Sequence, residues 1–220
     1  IMEEDLWTDL LVDVEEGKTG TFNFGVGFST DSRFAGYGEV RLNNVDVFNW
    51  PTFSCGGQRL TLRLQQGSRR DEYLISFTDP EAFGYPILFG VDLFSDTRIY
   101  REGADFREEQ TGGQIRLGKV LSTFVRTNVS VLYEDTEISD LPDEFECQPL
   151  LRELIGSSNT LSLGWDIERD TLDNPRRPST GANHILRMQL AGFGADNEFY
   201  KLEHDSEFFW PLDEDQDWIL

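Results

Sequence analysis

Hydrophobic and polar residues alternate one for one along most of this chain. Leu60, Leu62 and Leu64 are interleaved with Arg59, Thr61, Arg63 and Gln65. Ile87, Phe89, Val91 and Leu93 form a second row, and Leu161, Leu163, Trp165 and Ile167 a third, against Thr160, Ser162, Gly164, Asp166 and Glu168. Leu186, Met188 and Leu190 alternate with Arg187 and Gln189. A period of two marks strands with two unlike faces. It predicts about eleven of them, at 19–29, 35–48, 58–67, 72–79, 86–97, 110–119, 123–134, 158–169, 181–192, 197–210 and from 217. Leu88, Phe94, Leu132 and Ile185 break the pattern on the polar side, and His204 and Ser206 break it on the apolar side.

The first strand is the odd one. In TFNFGVGFS, Phe22, Phe24, Val26 and Phe28 occupy one face, while Thr21, Asn23, Gly25, Gly27 and Ser29 leave the other nearly bare. Glycine weakens a strand interior unless something has to approach the backbone closely.

The connections divide into two sets. One is compact and rich in proline or glycine (NWPTFSCGG, DPEAFGY, KVLS, DTLDNPRRPST, PLDEDQ); the other varies, up to the long EDTEISDLPDEFECQPLLRELIGS. Trp50, Tyr85, Phe208, Phe209, Trp210 and Trp218 gather by the compact turns, and Tyr37, Tyr73, Tyr100 and Tyr133 toward the other rim. Short turns at one end, variable loops at the other and aromatic belts at both fit a transmembrane β-barrel. The same features leave a soluble sandwich or barrel open.

Composition changes this picture little. A formal charge of -22 without a basic cluster excludes a nucleic-acid partner. No apolar run approaches the ~20 residues of a membrane helix, which says nothing about membrane strands. Cys55 and Cys147 have no metal-ligand spacing, and they fall at opposite rims, so no disulfide between them is expected. The run Asp213, Glu214, Asp215, Asp217 lacks the glycine and late glutamate of a calcium loop and reads as a solvated turn. His184 and His204 have no triad partners, so neither catalysis nor a cofactor is expected. Arg59, Arg63, Arg116, Arg126 and Arg187 share the polar face with Asp92, Asp166 and Glu168. They read either as a lumen surface contacting an inserted loop or passing chain, or as groups that solvate a water-filled interior. Exposed lumen positions such as Thr61 and Ser162 are expected to accept arginine cheaply, whereas Leu62 and Leu163 are not.

Four stretches carry a family resemblance. EEGKTGTFNFGVGFST is similar to the junction between the last POTRA domain and the first barrel strand of BamA-type outer-membrane-protein assembly barrels. RDTLDNPRRPSTG resembles a periplasmic turn of that family, GADNEFYKLEHDSEFFWPLDEDQDW its following hairpin, and FTDPEAFGYPILFG an earlier turn. The resemblance implies an antiparallel sixteen-stranded barrel in the bacterial outer membrane. Residues 1–18 would end a POTRA domain, and 19–220 would supply about the first eleven strands. It further implies a non-enzymatic role, inserting and folding outer-membrane proteins, with outer-membrane lipids, unfolded substrates and assembly-complex lipoproteins as partners. Residues 21–29 would form a lateral gate. The family's Arg-Gly-aromatic loop tip is not in this sequence, which keeps a secretion pore of the same superfamily as an alternative.

Overall fold

A computed structural model describes residues 19–29, 33–100, 106–140 and 155–211. The expected POTRA end (1–18), the eleventh strand, Cys147, Trp218 and the acidic run at 213–217 lie outside these residues. What is described is one antiparallel sheet of ten strands in sequence order. They are β1 (Gly20–Ser29), β2 (Arg33–Val45), β3 (Gln58–Gly67), β4 (Arg70–Asp79), β5 (Ile87–Tyr100), β6 (Phe106–Ser122), β7 (Val125–Ser139), β8 (Gly156–Asp170), β9 (Gly181–Ala191) and β10 (Phe199–Phe209). A single turn of 3-10 helix, Ala82–Gly84, interrupts the β4–β5 connection.

The register fixes the faces, because residues directly opposite one another point the same way. Val40, Leu62, Ile75, Leu93 and Gly113 follow one another across five strands. So do Leu117, Val129, Trp165, Met188 and Leu202. This apolar face is exposed: Leu62, Ile75, Leu93, Leu163 and Leu190 each keep two-fifths or more of their surface. Among the described residues only Val45, Ala82 and Ala191 are buried hydrophobics. A water-soluble sandwich hides its apolar face in a core. Here the sheet presents that face outward, as lipid contact requires.

Three expectations need adjustment. The long strands run further than predicted: β6 has 17 residues and β7 has 15, extending to Phe106 and Ser139. Their ends carry Arg107, Glu109, Asp135 and Glu137 on the outward face, so the apolar–polar contrast disappears there while the pairing continues. The KVLS turn is instead Thr123–Phe124, since β6 continues to Ser122 across a bulge and pairs with Val125. Finally, Thr61 and Ser162 are not open lumen positions. They retain 9% and 2% of their surface, and Gln189 closes over Ser162 with an Nε2–Oγ hydrogen bond of 3.0 Å.

Candidate functional site

β1 pairs with β2 without a bulge from Gly20↔Leu42 to Ser29↔Arg33. The Asn43 N–H donates to the Thr19 carbonyl, and the Ser68 N–H to the Phe34 carbonyl. In an antiparallel ladder each residue bonds to one neighbour only, and the sides alternate. The odd residues Thr21, Asn23, Gly25, Gly27 and Ser29 therefore bond to β2. The backbone N–H and C=O of Gly20, Phe22, Phe24, Val26 and Phe28 point to the opposite edge, where no described strand pairs. The side chains of the same even residues form the outward apolar face, with exposures of 66% at Phe22, 76% at Phe24, 78% at Val26 and 80% at Phe28.

Gly25 and Gly27 are not equivalent. A Cβ on Gly25 would meet Tyr37 Cε1 at 2.5 Å, because the Tyr37 ring on β2 lies across the glycine directly opposite it. A Cβ on Gly27 would meet nothing within 4 Å. The first glycine is thus a seat for an aromatic ring, and the second is open space. The same cross-strand device explains two of the exceptions to alternation. Phe94 faces Gly112, where a Cβ would come within 2.8 Å of its ring, and Leu88 faces Gly118.

The polar face holds a set of cross-strand ion pairs. Arg63 on β3 binds Glu39 on β2 at 2.9 Å and reaches Glu72 on β4 at 3.6 Å. Arg116 on β6 binds Asp92 on β5 at 2.7 Å, and the Ser76 hydroxyl also donates to that carboxylate. Arg126 forms a two-pronged contact with Glu168, directly opposite on β8. Arg187 on β9 pairs with Asp205 on β10. Asp166 accepts a 3.4 Å hydrogen bond from Asn128 Nδ2, and Arg59 donates from Nε to Asn43 Oδ1 at 3.1 Å. These eight charged residues singled out from the sequence thus share one face, spread over six strands (β3 and β5 to β9) without converging on a single centre. The alternation missed Glu39, Glu72, Asp96, Arg70, Arg98 and Asp205. Arg70 and Arg98 both bind Asp96, at 2.9 and 2.6 Å. Register was the missing information, since partners on neighbouring strands are far apart in sequence. Among the described residues no group of three or more His, Cys, Asp or Glu side chains is arranged to hold a metal.

An outward apolar face, a salt-bridged inner face and strands in meander order define a transmembrane β-barrel sheet of the outer-membrane kind. The Omp85 superfamily domain matches residues 53–220, and the chain belongs to that superfamily. It is 24% identical over 195 residues to the outer membrane protein assembly factor BamA of Nitratidesulfovibrio vulgaris, covering 88% of this chain and 23% of that protein's length. Its fold is similar to that of the BamA crystal structure from Haemophilus ducreyi lacking POTRA domains 1–3. There the TM-score is 0.73 at 17% identity, over 93% of this chain and 40% of the other. The superfamily match begins after β2, whereas the β1–β2 hairpin rests on the alternation and on the sheet itself.

Proposed function

We propose that this chain takes part in inserting and folding β-barrel proteins in the bacterial outer membrane, with residues 21–29 as a lateral gate. The observation that carries this reading is β1 itself, an uncharged strand in which five consecutive even-numbered residues direct backbone donors and acceptors away from β2, toward an edge that no described strand covers. In hydrocarbon an unpaired backbone group costs several kcal/mol, so such an edge favours capture of a strand. An incoming unfolded strand supplies matching groups by β-augmentation, and the phenylalanines of the same residues keep the junction facing lipid. β1 contains no charged side chain, so no ion pair would fix the register of a partner there. That suits a surface that accepts many sequences and releases them. The charged inner face would line the route of the unfolded substrate, and assembly-complex lipoproteins would act from outside this segment.

Cysteines placed singly along Thr21 to Ser29, in the full-length protein, test the reading against a cysteine series in the C-terminal strand of a folding substrate. Crosslinks should appear in antiparallel register and vanish once the substrate is released. Assembly that proceeds without any such crosslink overturns the gate assignment.

A further inference from the structure

The apolar face carries one polar group that the barrel alone does not explain. His184 on β9 and Ser206 on β10 are directly opposite, and His204 stands one outward position further along β10. The Ser206 hydroxyl lies 2.9 Å from His184 Nδ1 and 2.9 Å from His204 Nε2, and the two rings stack with centroids 6.1 Å apart. On the other side of His184, Arg169 of β8 is directly opposite in register, so its Cβ lies within ~5.5 Å. The Arg169 side chain is exposed and has no hydrogen bond or ion pair among the described residues.

The level of this group in the membrane follows from its neighbours. Arg169 is the last outward residue of β8 before the 171–180 turn, and His184 comes two residues after the first outward residue of β9. Beyond them toward the barrel middle come Ile167, Leu186 and Met188. Toward the turn, Phe208 packs edge-on against His184 at 5.0 Å, with Trp210 next to it. This is the interfacial layer on the compact-turn side, the periplasmic leaflet of an outer-membrane barrel.

We propose that Arg169, His184 and His204 bind the phosphate of a phospholipid headgroup in that leaflet. The tautomer arithmetic supports a donor site. A hydroxyl between two ring nitrogens donates to one and accepts from the other. Whichever direction the chain runs, one imidazole therefore keeps an N–H free to point away from Ser206. Together with the unpaired guanidinium fork of Arg169, directly opposite His184 in register, this gives a planar double donor and a single imidazole donor on the same outward patch, a set that suits a phosphate diester. Charge complementarity selects the occupant. The outward groups at the opposite rim of β6 and β7 are mainly acidic (Glu109, Asp135, Glu137), and the arginine among them, Arg107, lies 3.3 Å from Glu109, so the outward guanidinium without a carboxylate partner is on the turn side.

Native mass spectrometry of the full-length protein in detergent, titrated with dioleoylphosphatidylglycerol, tests the proposal. Wild type should retain the lipid, and Arg169→Gln should lower the apparent affinity ~10-fold, with Arg169→Lys partly restoring it. His204→Gln should weaken retention less, and Arg107→Gln, at the far rim, not at all. Inorganic phosphate in place of the lipid should not compete at equal concentration. Equal lipid retention by wild type and Arg169→Gln overturns the proposal. So does displacement by inorganic phosphate, which would make this a free-anion site. Arg169→Gln removes an exposed side chain with no partner, so the variant keeps its fold; heat-modifiable migration on a gel verifies that.

Discussion

β1 and the β6–β7 hairpin are made by the same alternation, yet they hold their neighbours by different means. β6 and β7 are paired along both edges, and arginines on their inner faces clasp carboxylates on the strand beyond: Arg116 to Asp92 on β5, Arg126 to Glu168 on β8. Sliding either strand by two residues would break a charge-assisted pair as well as the ladder. β1 has 10 residues, none charged, and is held by β2 on one edge. Its register is set by backbone bonds, by one ring seated on one glycine and by the hydrogen bond of Asn23 with Glu39 directly opposite. Ion pairs add to the cost of parting two strands, and a joint without them parts more readily. The gate proposed above would place both kinds of joint in the same sheet.

The sharpest way to break this comparison uses two adjacent prolines. Phe24→Pro removes an N–H that points away from β2 and leaves the β1–β2 bonds in place, so the barrel should fold while assembly of substrates falls ~10-fold or more. Gly25→Pro removes an N–H that bonds to β2, so the hairpin itself should weaken and folding should suffer first. Yield of folded protein and yield of assembled substrate, measured on both variants, separate the two outcomes. Identical behaviour would show that the alternation of bonding sides along β1 has no functional meaning.

Next in size is lipid contact. Leu163→Arg, at the middle of the outward face of β8, should cost ~2–4 kcal/mol of folding free energy in vesicles. Thr21→Arg, on the exposed inner face of β1, should cost little. Equal penalties would remove the distinction between the faces on which the barrel rests.

How much of this was legible in the sequence depends on the kind of signal. Strand positions came through because leucine rows such as 60–64 and 186–190 contrast with charged neighbours, and ten of the predicted strands lie within a few residues of the observed ones. Strand ends did not, because β6 and β7 carry charges on both faces beyond the apolar band and pair there all the same. The polar face was legible, but its partners were not. Glu39 and Asp205 become visible only once the register sets them beside Arg63 and Arg187. The glycines of β1 were read as a bare surface, and for Gly25 that was incomplete, since the ring that covers it comes from a neighbouring strand.

That difference gives a smaller, sharper test. Gly25→Ala forces the Tyr37 ring aside and should cost ~1–3 kcal/mol, recovered in part when Tyr37→Ala is added. Gly27→Ala enters open space and should be neutral, or stabilising by up to ~1 kcal/mol through lost freedom in the unfolded chain. Additive effects of Gly25→Ala and Tyr37→Ala in a vesicle-folding cycle would exclude the seated ring as a tie between β1 and β2.

The smallest effect lies in the turn that joins β8 to β9, on the ion-paired side of the comparison. Asp173 accepts the backbone N–H of Ser179 at 2.9 Å and of Thr180 at 3.0 Å, and its second oxygen accepts the Ser179 hydroxyl. The Ser179 hydroxyl first, and then these backbone donors, hold the carboxyl well below the usual carboxylate range. Donors that favour the ionised form depress a folded-state pKa. The stabilisation is therefore complete above the ordinary pKa of an unfolded aspartate, ~3.9, and is withdrawn as pH falls below it toward the folded value. Asp173 is fully exposed, so the consequence is local order in the turn and not barrel stability. Amide exchange at Ser179 and Thr180 should stay protected from neutral pH down to about pH 4 and loosen below it, after correction for intrinsic exchange. In Asp173→Asn the protection should be weaker at neutral pH and show no such acid step. An unchanged acid step in that variant would assign the turn's order to another carboxylate, with Asp170, which accepts the Leu172 N–H at 3.0 Å, as the next to test.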